Sequence, residues 1–237
     1  MKGGYLRLRP VIAAFSWIAI TILAYIAALY LGLLIARLVG INNVVGLLSL
    51  HSLLLMVMLV IVVWSPAIIS RARLTLSDIG LQKALEWRDG LWGVGGFAVY
   101  SLIMSIVVPL VAKIAWFDTD QSQQLGFNGM AGLTLFAGFI VLVIITPVAE
   151  EMLFRGVLQG RLRAAGIPFS ITALIVGGLF ALAHGQWNVA IDVFFMSLVA
   201  SYLRERTGRL WPSIVVHVLK NTLAFYVTFV VVAGTLR

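Results

Sequence analysis

The sequence predicts an all-α protein: a polytopic transmembrane bundle of about seven helices around an intramembrane polar cavity. Three observations carry that prediction. Of the 237 residues, 62% are hydrophobic and 11% charged, where a soluble domain carries about 25% charged residues. The apolar residues, at a mean hydropathy of +1.06, gather in runs long enough to span a bilayer. The Lys and Arg residues behind the net charge of +8 sit in short clusters between those runs, as in cytoplasmic loops. No basic domain stands apart from the apolar runs, so nucleic acid is not an expected partner. With no cysteine in the chain, disulfides, thiolate ligands and cysteine nucleophiles are excluded.

The elements follow in order. A first helix covers residues 11–36 and is too long for a signal-peptide core, so no cleaved leader is expected. A second covers 45–70. The loop "RARLTLSDIGLQKALEWRDG" then spaces its Leu, Ile and Trp as an interfacial amphipathic helix would. A third helix covers 91–114, and the polar connector "AWFDTDQSQQLGFNGM" turns at Asn128-Gly129. A fourth helix starts near 131, a fifth near 169, a short sixth near 189 and a seventh near 212. The chain reads as one integral membrane domain, 1–237.

Basic residues set the orientation. With the N-terminus cytoplasmic, twelve Lys and Arg face inward (2, 7, 9, 71, 73, 83, 88, 161, 163, 204, 206 and 209) and three outward (37, 113 and 237). That bias predicts a multi-pass protein of the cell membrane with its N-terminus inside. The tryptophans fit interface anchoring. Gly93, Gly95, Gly96, Gly177 and Gly178 are expected where helices pack closely.

The two halves differ. Before about residue 130 the membrane segments hold almost nothing ionisable; afterwards they hold Glu150, Glu151, Arg155, His184, Asp192, His217 and Lys220. In "EEMLFRGVLQGRLR" the apolar spacing stays helical beyond the two glutamates. Glu150 then lies roughly 16 Å along the helix from Arg161, near mid-membrane. Pro147, one turn earlier, has no N–H for the carbonyl of Val143 and can kink the helix there. Ionised groups at that depth cost about 2.5–3.5 kcal/mol each, so they face a cavity or a partner. Glu151 and Arg155, at i and i+4, share a face and can pair. Glu150 points about 100° away and is left to act elsewhere.

Other helices offer partners. "FALAHG" places Phe180 and His184 at i and i+4, and "HVLKN" does the same for His217 and Asn221. Allowing for tilt, their depths overlap that of Glu150, with His184 the loosest fit. His51, Asp192 and Lys220 read more simply: a helix-packing histidine, an interfacial acid and a lysine snorkelling to the inner headgroups. A substrate contact is the alternative role for Asp192.

Two chemistries suit a Glu, two His and an Asn. Two His and one Glu from three helices match known zinc ligand sets. Equally, Glu150 can act as general base on a water that His184 helps hold, with His217 and Asn221 donating to the oxyanion. Asn221 is a poor metal ligand, and the seventh helix carries no carboxylate to support a zinc-bound His217 from behind. Both points favour the metal-free site. A proton-coupled transporter also uses membrane carboxylates and histidines, but no inverted repeat is visible.

"EEMLFR", "FALAH" and "HVLKN" resemble the E-E-x-x-x-R, F-x-x-x-H and H-x-x-x-N motifs of the CAAX-processing and bacteriocin-processing (CPBP, or Abi) family of intramembrane glutamic proteases. The resemblance covers about residues 131–231 and implies a helical bundle that hydrolyses a peptide bond with glutamate-activated water. By position it makes Glu150 the base assisted by His184, and His217 with Asn221 the oxyanion site. Glu151 and Arg155 support them, and Phe180 packs alongside. It implies no cofactor and a peptide or protein substrate, membrane-associated or lipidated ones included. The family also contains bacteriocin self-immunity proteins, which raises the alternative of a peptide binder that does not cleave.

Overall fold

The computed structural model describes residues 3–69, 75–114 and 132–228. Among the described residues there are seven helices and no strand. They are α1 (Gly3–Val39), α2 (Val44–Ile69), α3 (Trp87–Val111), α4 (Gly132–Ala164), α5 (Phe169–Leu182), α6 (Trp187–Thr207) and α7 (Trp211–Tyr226). The connector with Asn128-Gly129 lies outside the described residues, as do Arg71 and Arg73 of the following-helix loop.

Four helices, α1 to α4, are long and apolar enough to cross a membrane, which makes this an integral membrane protein. The expected seven helices are present among the described residues, and the other three are shorter or more polar. α5 has 14 residues, roughly 21 Å of helix against a hydrocarbon core of about 30 Å. α6 carries Asp192, Arg204, Glu205 and Arg206, and α7 carries His217, Lys220 and Asn221. These are the helices that bring polar groups inward, so their composition departs from that of lipid-facing spans.

α4 occupies the middle of the bundle. It packs against α1 and α2 on one side and against α5, α6 and α7 on the other, while α3 closes the far side over α6 and α7. Its face at Leu153, Val157, Leu158 and Leu162 is fully buried. Large apolar side chains of α1 and α3, such as Phe15, Tyr30, Leu102 and Ile106, point outward instead, as a lipid-facing surface requires. Glycines allow the closest approaches. A Cβ on Gly93 would meet Val215 of α7 at 2.3 Å, and one on Gly96 would meet Leu203 of α6 at 2.6 Å. Gly177 lies tight against Phe194, whereas Gly95 and Gly178 face open space, so only part of the expected glycine packing is realised.

The expected interfacial helix between α2 and α3 is absent from its described part. Residues 75–86 form a turn and an irregular strand of chain. Side chains from the α6–α7 corner take up the backbone groups that a helix would need. Arg204 Nη2 donates to the Asp78 carbonyl, Arg209 Nη2 to that of Ala84 and Trp211 Nε1 to that of Lys83. The Leu210 N–H donates to the Gly80 carbonyl. Gly208, at φ +66°, ends α6 in the left-handed conformation that glycine adopts without strain, and so aims that corner at the loop.

Candidate active site

α4 is not a uniform α-helix. Ile140–Ile145 and Met152–Gln159 are π-helical, on either side of the α-helical Thr146–Glu151. In the first π segment each carbonyl serves the N–H five residues on: the Thr146 N–H donates to Val141. The next partner in that register, for Leu142, is Pro147, which has no N–H. The carbonyl left over is therefore that of Leu142, not that of Val143 as an α-helical register predicts. Asn221 Nδ2 of α7 donates to it at 2.9 Å. The proline just before the first motif thus leaves the carbonyl that holds the asparagine of the third.

The two neighbouring glutamates have different surroundings. Glu151 is fully buried, and its Oε1 accepts from Arg155 Nη1 at 2.7 Å and from His217 Nδ1 at 2.9 Å. Arg155, also fully buried, lays its guanidinium 4.6 Å from the Phe180 ring centroid, a favourable cation–π geometry. Glu150 retains slight exposure and accepts no hydrogen bond among the described residues. Its Oε2 stands 3.8 Å from His217 Nε2. With Nδ1–H committed to Glu151, the Nε2 edge of His217 is the one turned toward Glu150.

Phe180 is the junction of the site. Its ring contacts His184, His217 and Phe154 at centroid distances of 4.9, 5.6 and 5.0 Å. His184 lies just past the end of α5, in the turn closed by Gly185, and its Nδ1 donates to the Phe180 carbonyl at 2.9 Å. That bond leaves Nε2 available as an acceptor. The structure therefore joins Glu150, Glu151, Arg155, Phe180 and His217 directly. His184 is attached through Phe180, and Asn221 through Leu142.

Two simpler expectations are corrected. Lys220 does not run to the headgroups: its Nζ pairs with Asp192 of α6 at 3.1 Å. Asp192 in turn accepts a hydrogen bond from Tyr100 of α3. Pairing inside the bundle removes the cost that snorkelling would avoid. Asp192 also lines a cleft of about 180 Å³ between α3 and α6, with Asn188 and apolar side chains around it.

Residues with no motif signal also reach this region. Tyr25 of α1 stacks edge-on against both His51 and Phe154 and lies within electrostatic range of Glu150. The first half of the chain thus helps wall the site, which no sequence pattern announces. Gln159 follows Glu151 and Arg155 at the same spacing of four, a repeat legible in the sequence but unused there.

Several buried polar atoms around α4 have no hydrogen-bond partner among the described residues: Glu151 Oε2, Arg155 Nε and Nη2, Gln159 Oε1, and the hydroxyls of Ser197 and Ser201. At about 1–3 kcal/mol for each unmet group, their combined cost matches the whole net stability of a folded domain, about 5–15 kcal/mol. This face requires solvating partners.

A metal would have to use Glu150 and His217, whose Oε2 and Nε2 face each other. Among the described residues no three His, Asp or Glu side chains form a ligand set. One sequence-based objection to zinc is removed, however. A carboxylate does stand behind His217, supplied by Glu151 of α4 and not by α7.

Residues 132–223 match the family model for type II CAAX prenyl endopeptidase Rce1-like proteins. The chain is 33% identical over 143 residues to the uncharacterized protein YyaK of Bacillus subtilis (strain 168), covering 56% of this chain and 46% of that one. It is 27% identical over 138 residues to the membrane-embedded CAAX protease MroQ of Staphylococcus aureus (strain USA300), covering 55% and 54%. The chain thus spans about half the length of the curated relatives it matches. No solved structure matches significantly.

Proposed function

From the match of residues 132–223 to the Rce1-like family model, we propose that the protein is an intramembrane endopeptidase in which Glu150 activates the hydrolytic water. The single observation that carries this reading is the asymmetry of the glutamate pair. Glu151 is neutralised and held by Arg155 and His217, while Glu150 accepts no hydrogen bond among the described residues and keeps a free carboxylate edge.

In this mechanism Glu150 takes a proton from water as the oxygen attacks the scissile carbonyl carbon. The oxyanion that forms accepts hydrogen bonds from the second Asn221 amide hydrogen and from His217 Nε2–H. The imidazolium this requires is stabilised by the Glu151 carboxylate on Nδ1, as an acid behind a histidine does in other hydrolases. His184 holds the water through Nε2. When the C–N bond breaks, Glu150 returns its proton to the leaving amine. The substrate is a peptide or protein segment that enters the bilayer, lipidated ones included. No metal or other cofactor is needed, and the N-terminus lies in the cytoplasm.

The test is cleavage of a peptide library by the purified full-length protein in lipid nanodiscs, with and without EDTA. The expected result is cleavage that survives EDTA and falls below detection in Glu150→Gln, which still folds and inserts. Zinc at one per chain, with activity lost on chelation and restored by zinc, would transfer the same residues to a metal mechanism. Peptide binding without hydrolysis by the wild type would instead favour a self-immunity role.

A further inference from the structure

The unpartnered polar atoms around α4 are ordered. Along α4, residues 151, 155, 159 and 163 follow at intervals of four, and along α6 so do 197, 201 and 205. Two rungs join the series. Gln159 Nε2 donates to the Ser201 carbonyl at 3.0 Å, and Arg163 pairs with Glu205 at 2.9 Å. Both rungs have a sequence offset of 42. Ser197, one turn before Ser201 on α6, turns its hydroxyl toward α5 at Gly177, one turn before Phe180.

The hydroxyls themselves are unusual for this chain. A helical serine or threonine ordinarily donates to a carbonyl three or four residues back, and Ser16, Ser49, Ser101, Ser105, Thr207 and Thr222 all do so. Ser197 and Ser201, both fully buried, do not. Ser201 shares its rung with Gln159, whose Oε1 is also unmet, and Arg155, four residues earlier on α4, leaves Nε and Nη2 unmet. Buried polar groups left open on both sides of one seam are the setting in which proteins hold internal water, each molecule bonding two to four such groups.

We propose that the seam between α4 and α6 is an internal water file, running from the Glu150–Glu151 site past Arg155, Gln159 and Ser201 to the Arg163–Glu205 pair. The side chains of that pair are about one-third exposed, at 37% and 33%, so the file meets solvent there. Its ligand is water. Gln159 and Ser201 are its positioning residues, and they act on the reaction by supplying the water that Glu150 consumes. That use of the file rests on the peptidase reading; the file itself does not.

Hydroxyl-radical footprinting of the full-length protein in nanodiscs, with radicals made by an X-ray pulse, reads internal water directly. Phe154 and Phe180 are 2% and 0% exposed, so they are oxidised only where water stands beside them. The expected result is clear labelling of both in the folded wild type. In Gln159→Leu, labelling of Phe180 falls several-fold while exposed Trp87 and Trp187 label as before. In a cleavage assay the same variant lowers kcat several-fold and leaves KM unchanged. Ser201→Ala, a smaller change to the packing, moves both readouts in the same direction and replaces Gln159→Leu if that variant does not fold. Unlabelled Phe154 and Phe180 in the wild type, or labelling that both variants leave intact, would overturn the file. Labelling that responds to the variants in a protein that cleaves nothing would keep the file and remove the peptidase reading.

Discussion

Two ionic clusters in this molecule use the same side chains in opposite surroundings. At mid-bundle, Glu151, Arg155 and His217 are 0%, 0% and 2% exposed. At the basic end, Arg209 grips Asp89 through two bonds of 2.7 and 2.6 Å and pairs with Glu86 at 3.4 Å, with Arg209 and Glu86 reaching solvent. In the second cluster the Asp89 carboxylate is buried as well, at 3% exposure, but Arg209 and Glu86 reach solvent at 15% and 48%, so water can replace part of what a lost partner supplied. In the first it can do so only along the α4–α6 seam, so each group depends on the others to remain there. The outer cluster ties the loop before α3 to the α6–α7 corner. The inner one fixes a histidine whose free edge faces Glu150. Burial converts an ordinary salt bridge into a positioning device, because removing one member strands the rest.

That contrast is tested most severely at Glu151. Its replacement by Gln leaves Arg155 and His217 without their shared anion, and breaking a buried pair in this way costs about 3–5 kcal/mol. Glu151→Gln should therefore lower yield and Tm together with activity, whereas Glu150→Gln removes activity alone. A Glu151→Gln protein with wild-type Tm would mean that the inner cluster is no more demanding than the outer one.

The next effect links α7 to the π segment of α4. Removing a hydrogen-bond donor to an oxyanion lowers kcat by about 10²–10³-fold in other hydrolases, and Asn221→Ala is expected to fall in that range with little change in KM. Pro147→Ala restores an N–H that competes with Asn221 for the Leu142 carbonyl. It should lower kcat by less, without loss of Tm. The informative result is the double variant: in the Asn221→Ala background, Pro147→Ala should have no further effect on kcat. Additive losses would show that the two residues act independently.

Much of this arrangement was legible in the sequence because it rests on helical periodicity. The spacing of four puts Glu151 beside Arg155, and the same spacing puts Phe180 against His184. The fifth helix, expected near 169, begins at Phe169, just after Pro168. What was not legible depends on register between helices or on departures from the α-helical pattern. The shift from Val143 to Leu142 comes from a π segment that an apolar run does not signal. The carboxylate behind His217 comes from another helix, and no pattern within α7 could supply it. Asp192 and Lys220 looked like boundary residues one at a time, and only packing makes them a pair with Tyr100. The loop before α3 looked amphipathic, but the arginines that claim its carbonyls lie more than a hundred residues away.

At the outer cluster the expected changes are smaller. Asp89→Asn weakens a two-bond grip whose carboxylate is buried but whose Arg209 partner reaches solvent, and should cost about 1–2 kcal/mol, between the values for exposed pairs and for bonds to buried charges. Limited proteolysis of the 75–86 segment is the sensitive measurement, because that segment is what the cluster holds. Faster cleavage there with a nearly unchanged global Tm is the expected outcome. Collapse of the whole fold would place Asp89 in the same category as Glu151.

The smallest effect is a pH dependence of the same loop. The Thr75 N–H and Oγ1–H both donate to Asp78 Oδ2, at 2.6 and 2.8 Å. The backbone bond first and the hydroxyl second hold this carboxyl below its ordinary value of 3.8, with a lesser contribution from the charge of Arg161, against a slight opposing effect of burial. A folded-state pKa below the unfolded one stabilises the fold at pH values above the unfolded pKa, and the contribution is lost as pH falls through the folded value. The window therefore lies below about pH 4. Because Asp78 is exposed, the effect is local: the turn at 75–80 loosens, and with it the carbonyl of Asp78 that accepts from Arg204. Amide exchange at Ile79 and Gly80 should be faster in Asp78→Asn than in the wild type at neutral pH, and the difference should vanish as the pH drops through that window. A difference that persists undiminished in acid would show that the turn is held by something other than the ionised carboxylate, and that the outer region is less dependent on solvent-exposed charge than its contacts indicate.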